Sequence, residues 1–126
     1  MSTENSQFGQ VIPYLSVKNS QRLVTFLVAT FGASQTYQNE AGSHIEVSIG
    51  ESRLMIGDVG AGDVHTAQLF MYVPDADSLY EQALSAGGTA LMPPEDREWG
   101  EDHQKMRGAG ITDPSGNTWF FASPKE

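Results

Sequence analysis

His44 and Glu46 stand at alternate positions of an extended stretch, Ser43 to Ile49, and therefore share one of its faces. An imidazole that titrates near neutrality beside a carboxylate is competent for acid–base work such as proton abstraction next to a carbonyl. The same pair could supply two ligands to a divalent cation, with a third drawn from His103, Glu101 or His65. The plainer alternative is a hydrogen-bonded pair lining a pocket. No catalytic residue is assigned beyond the candidates His44 and Glu46. The absence of cysteine and of a serine in a strand-to-helix elbow leaves nucleophilic catalysis without support. The glycines of Gly57 to Gly62 precede no lysine, so they form no phosphate loop.

Strand alternation assigns the neighbours of this pair. Ile45, Val47 and Ile49 are the apolar set that belongs under a helix, which turns His44, Glu46 and Ser48 the other way. The same logic places Ile12, Tyr14 and Ser16, then Arg53 and Met55, then Gln68, Phe70 and Tyr72, and finally Thr118 and Phe120 on the helix-free faces. An aromatic and apolar floor with a few polar groups is the usual composition of a small-molecule pocket, although Tyr14, Phe70, Tyr72 and Phe120 could instead fill a closed core. The expected ligand contacts are Tyr14, His44, Glu46, Met55, Gln68, Phe70, Tyr72, Trp99, His103 and Phe120. Trp99, with His103 as its neighbour, lies in a charged stretch from Pro94 to Gln104 that reads as a loop and a lid candidate; the alternative is a tryptophan packed on its own loop or at a subunit interface. Trp119 alternates with Phe120 and should be core.

The elements that hold these residues occur twice. Val17 precedes Lys18-Asn19 and a helical run ending at Phe31-Gly32, and Val73 precedes Pro74-Asp75 and a run ending at Ala86-Gly87-Gly88. In each copy an Asx residue caps a helix and glycine closes it. The predicted strands are 11–17, 34–38, 43–49 and 53–58, then 68–73, 89–92, 107–112 and 118–123. Pro93-Pro94 is expected to end the sixth. Each half therefore reads β-α-β-β-β, an α+β fold of two βαβββ modules forming a cupped mixed β-sheet with the helices on its outer face. The whole chain, 1–126, is expected to be one domain with an internal repeat of about 11–58 and 67–123, and a ligand cleft between the modules.

The chain has 126 residues, sixteen acidic against seven basic, and a formal charge of −9. That charge repels phosphate backbones and anionic membranes, so nucleic acid and membrane are not expected partners. With no cysteine, disulfides and thiolate metal sites are excluded. Met1 to Gln10 is polar and lacks the basic and apolar regions of a signal peptide, which leads to the expectation of a soluble cytoplasmic protein.

Val11-Ile12-Pro13-Tyr14-Leu15-Ser16-Val17, Phe31-Gly32-Ala33, His44-Ile45-Glu46, Leu54-Met55-Ile56-Gly57-Asp58 and Gly110-Ile111-Thr112-Asp113-Pro114-Ser115-Gly116-Asn117-Thr118-Trp119 resemble the vicinal oxygen chelate superfamily, in its glyoxalase/bleomycin-resistance form and its phosphonate-metabolism-B-like branch. The resemblance implies paired βαβββ modules, commonly a homodimer, and in the enzymes a divalent metal on the concave face. Other members carry no metal and sequester antibiotics. Carried over by position, the metal-ligand places of the superfamily hold Ile12, Met55, Gln68 and Phe120, a set poorly suited to a divalent cation. No cofactor is therefore expected. The leading expectation is a metal-independent small-molecule-binding protein, with antibiotic sequestration as one role. The alternative is a metal-dependent lyase, isomerase or dioxygenase with a site relocated to His44 and Glu46, and a third reading is an interaction scaffold without a ligand.

Overall fold

The first strand of each unit, ending at Val17 in one and at Tyr72, one residue short of Val73, in the other, leads into a capped helix, and each helix lies on its own sheet. The computed structural model describes residues 11–99 and 104–124, which fall into two compact units, 1–66 and 67–126. The first unit holds β1 (Tyr14–Val17), α1 (Ser20–Phe31), β2 (Ser34–Gln38), β3 (His44–Ile49) and β4 (Ser52–Asp58). The second holds β5 (Gln68–Tyr72), α2 (Ala76–Ser85), β6 (Thr89–Trp99), β7 (Gln104–Thr112) and β8 (Thr118–Pro124). The mixed sheets are four-stranded, in the orders β1-β4-β3-β2 and β5-β8-β7-β6, with one parallel pair in each, β1 with β4 and β5 with β8.

Local chemistry sets the helix ends. Asn19 adopts a left-handed conformation, φ 57° and ψ 66°, which asparagine tolerates, and its side chain accepts from the Arg22 amide. Gly32 closes α1 at φ 67°. Asp75 caps α2 from extended backbone, and Ala86 rather than glycine ends it, with Gly87 at φ 108° just beyond. Each helix start is also tied to the last strand of its unit: Asp58 accepts from the Ser20 amide and hydroxyl, and the Ser123 hydroxyl accepts from the Ala76 amide.

The cores follow the alternation. Leu23, Val24, Phe26, Leu27 and Thr30 of α1 are buried, as are Leu15, Val17, Ile45, Val47, Leu54 and Ile56 of its sheet. In the second unit Tyr80 and Ala83 of α2 are buried, with Ala109, Ile111, Trp119 and Phe121 of the sheet. Trp119 is core, as expected.

The stretch after Met92 differs from the sequence reading. Pro93-Pro94 does not end β6, which runs on to Trp99 and pairs with β7 through Glu95 with Gly108, Arg97 with Met106 and Trp99 with Gln104. The register shifts between Met92 and Glu95, so the prolines sit in an irregular stretch, and β6 is the edge strand, where a missing N–H costs little. The expected lid loop is thus largely the arm of a hairpin. β1 also starts later than expected, at Tyr14, although the Pro13 carbonyl still accepts from the Met55 amide.

Candidate functional site

Register, rather than sequence proximity, assembles the polar site of the first unit. Tyr14 pairs with Met55, Met55 with Glu46, and Glu46 with Tyr37, which sets these side chains in one row across β1, β4, β3 and β2. Ser16, Gly57 and His44 form the adjoining row. Gly57 makes the rows meet. A Cβ there would lie 2.6 Å from the Tyr14 hydroxyl oxygen, so only glycine leaves room for the ring to lie across β4 toward β3.

A continuous set of hydrogen bonds results. The Tyr14 hydroxyl is 3.3 Å from His44 Nδ1, His44 Nε2 is 3.0 Å from Glu46 Oε2, and Arg53 Nη1 donates to Glu46 Oε1 at 2.9 Å. Glu46, paired with Arg53, can only accept, so the proton on the neutral imidazole sits on Nε2 and the Tyr14 hydroxyl donates to Nδ1. The His44 and Glu46 side chains are only 26% and 16% exposed, and the Tyr14 and Tyr37 rings lie 5.7 and 6.0 Å from the imidazole. Tyr14 itself is 52% exposed. The network thus ends in an accessible phenol.

The same face of the second unit is built differently. Matched by register and by the helix caps, Tyr14 corresponds to Phe70, Met55 to Phe120, Tyr37 to Met92, and His44 and Glu46 to Gly108 and Gly110. Phe70 and Tyr72 are exposed and meet edge to face at 5.1 Å. Phe120 packs over Gly110, where a Cβ would come within 3.0 Å of the ring. One unit therefore presents a polar network and the other an aromatic surface.

The positions where the resemblance would place metal ligands hold Ile12 and Met55 in the first unit and Gln68 and Phe120 in the second. An alkyl chain, a thioether, an amide and a phenyl ring are not a donor set for a hard or borderline divalent cation. Among the described residues no group of three or more His, Cys, Asp or Glu side chains comes together to hold a metal ion. The His44 and Glu46 donor atoms are engaged with each other, with Tyr14 and with Arg53, so a cation there would have to displace those partners. His65 is exposed and bridges Ser16 through its backbone.

Trp99 ends β6, and its side chain is outside the described set; Glu101 and His103 lie outside the described residues. Arg107, which could have turned toward the helix-free face, instead bonds Asp77 of α2 at 3.0 Å and lies 3.5 Å from Asp96. The hydrogen bond to Asp77, before the attraction of Asp96, holds its guanidinium above the ordinary arginine value. This pair lines a concavity of about 410 Å³ within the second unit, with Pro74, Asp75, Ser123 and Pro124. Sequence reasoning did not place Tyr37 or Gly57 at the network. A glycine within a strand pattern was the one available signal of a close approach.

The Asp113-to-Trp119 motif is a fastening rather than a reactive group. Asp113, 4% exposed, accepts from the Ser115 and Asn117 amides, from Asn117 Nδ2 and, at 2.8 Å, from Trp119 Nε1. Asn117 Oδ1 in turn accepts from the Ala67 amide at the entry to β5.

Comparison with known proteins agrees with this architecture. The chain superposes on TioX from Micromonospora sp. ML1 with a TM-score of 0.75 and 23% identity, covering 91% of this chain and 98% of that one. The fosfomycin resistance protein FosX from Mesorhizobium loti gives a TM-score of 0.67 at 19% identity, covering 93% and 92%. A glyoxalase-related enzyme from Fulvimarina pelagi gives 0.69 at 19%, covering 90% and 88%. These likenesses establish the fold. No curated protein matches the chain. The model of the glyoxalase/bleomycin resistance protein/dioxygenase superfamily matches residues 7–121, nearly the whole sequence. The chain belongs to that superfamily.

Proposed function

We propose that this protein is a metal-independent small-molecule-binding member of the superfamily, of the phosphonate-metabolism-B-like branch. The ligand contacts Tyr14, His44, Glu46 and Met55 of the first unit and Gln68, Phe70, Tyr72 and Phe120 of the second, with Trp99 and His103 as further contacts. The observation that carries the reading is the engagement of both His44 nitrogens and both Glu46 oxygens with protein partners. That leaves an organised polar face on the first unit and exposed aromatic rings on the second, a composition suited to holding an uncharged or weakly polar organic molecule by stacking and hydrogen bonding.

Antibiotic sequestration in the cytoplasm by a homodimer is the form of this function we favour; one similar structure is a fosfomycin resistance protein. Thermal shift of the untagged protein against an antibiotic and aldehyde panel, alongside Zn²⁺, Ni²⁺, Fe²⁺ and Mn²⁺, tests it. Stabilisation by an organic compound, lost in Phe70→Ala and Tyr14→Ala, is the expected result. Stabilisation by a metal alone, lost in His44→Ala, would favour the enzyme with a relocated site.

A further inference from the structure

We infer that the outer block of β6, residues 95–99, is a strap on the second unit that opens independently of its sheet, and that Arg107 is the clasp fastening it to α2. A break in pairing marks the strap off. β6 shifts register between Ala90 and Met92 and again between Met92 and Glu95, across Pro93-Pro94, which have no N–H to give to a ladder. Beyond the break the pairing with β7 runs without interruption from Glu95 with Gly108 to Trp99 with Gln104. β7 is held on its other side by β8, from Thr112 back to Met106, whereas β6 is the edge strand. The outer block is therefore free to leave β7 while the rest of the sheet stays paired.

Residues 95–98 are Glu, Asp, Arg and Glu, so this part of the strap adds no apolar side chain to the core. On the helix side Asp96 borders the concavity of about 410 Å³ rather than a packed layer. Arg107 lines the same concavity. Its Nε donates to Asp77 in the first turn of α2 at 3.0 Å, and its Nη1 lies 3.5 Å from Asp96, so one guanidinium joins α2, β7 and the strap. The Arg107, Asp77 and Asp96 side chains are 38%, 56% and 40% exposed, which makes the clasp weak and sensitive to salt. A segment with few buried apolar groups and a solvent-exposed ladder opens locally, well before the molecule unfolds as a whole. By register the other face of the strap carries Glu95 and Arg97 opposite Gly108 and Met106, on the helix-free side where Phe70, Tyr72 and Phe120 lie. Releasing the clasp therefore opens one border of the second unit's aromatic face. That consequence for ligand access rests on the small-molecule-binding reading; the strap and its clasp do not.

Amide hydrogen exchange of the whole chain, read by mass spectrometry of its peptides, tests the strap. In Arg107→Gln at low salt, exchange over 95–99 should quicken by about three- to tenfold, as expected for the loss of two partly exposed ion pairs, while exchange over 118–123 in β8 keeps the wild-type rate. Asp77→Asn, which spares the pair with Asp96, should show the same local change to a smaller extent. Raising NaCl to about 1 M should narrow the gap between wild type and Arg107→Gln. Wild-type exchange over 95–99 in both variants, an equal acceleration over 95–99 and 118–123, or a gap indifferent to salt each overturn the clasp. Should Arg107→Gln fail to fold, Asp77→Asn read at low and high salt carries the same test. No ligand enters these measurements, so failure of the strap is distinct from failure of the binding reading.

Discussion

The Tyr14 hydroxyl lies so close to the Gly57 backbone that a Cβ on Gly57 would come within 2.6 Å of it. The exposed ring has solvent to swing into, so Gly57→Ala should cost less than the roughly 1–3 kcal/mol of overpacking a closed core, yet break the contact between Tyr14 and His44. Denaturant unfolding together with the His44 NMR shifts checks both. In a Tyr14→Ala background the same substitution should be nearly free, because the clashing group is gone.

Gly110→Ala should be the costlier replacement. Its Cβ would lie 3.0 and 3.2 Å from Phe120 and 3.6 Å from Met92, and Phe120 is half-buried where Tyr14 is exposed, so its ring has less solvent to move into. A loss of about 1–3 kcal/mol is expected from chemical denaturation. Equal costs at the two glycines would contradict the packing described.

Asp113→Ala removes the acceptor for the Trp119 indole and for the Asn117 and Ser115 amides at a site 4% exposed. Buried donors left unmatched cost about 1–3 kcal/mol each, so the variant should lose at least about 3 kcal/mol or fail to fold. Asn117→Ala, which releases the Ala67 amide and its own bonds to Asp113, should also destabilise the protein. Wild-type unfolding free energies in either variant would show that the turn is not a fastening.

Asp58 links α1 to acid stability. The Ser20 amide, then the Gly60 amide and the Ser20 hydroxyl, hold its carboxyl below the ordinary value of 3.8. A depressed folded-state value favours the ionised form, so this stabilisation is complete above 3.8 and is lost as pH falls through the lower folded value. Asp58→Asn should cost about 1 kcal/mol near neutral pH, as loss of a helix cap does. Its melting temperature should approach that of the wild type on acidification below about pH 4. A gap that stays constant into strong acid would contradict this.

Much of the fold was legible because its signals are local. The Asx caps at Asn19 and Asp75, the stop at Gly32 and the alternation of Ile45 and Val47 with His44 and Glu46 each lie within a few residues of what they determine. Pro93-Pro94 misled because a proline ends a strand only where its N–H is needed, and the edge position of β6 depends on the order of the whole sheet. The contact of Tyr14 with His44 was not legible for a related reason. It requires the parallel register of β1 on β4 and the gap at Gly57, neither of which leaves a mark near Tyr14 in the sequence. The contrast between a polar first unit and an aromatic second one emerges only when the two registers are matched, setting Glu46 against Gly110.

Metal content tests the central claim most directly. Untagged protein, purified without chelator and analysed by mass spectrometry of its elements, should carry Zn, Ni, Fe and Mn well below one equivalent per chain, with no difference between wild type and His44→Ala. One tightly held ion per chain that disappears in His44→Ala or Glu46→Ala would contradict a site whose donor atoms are committed to one another.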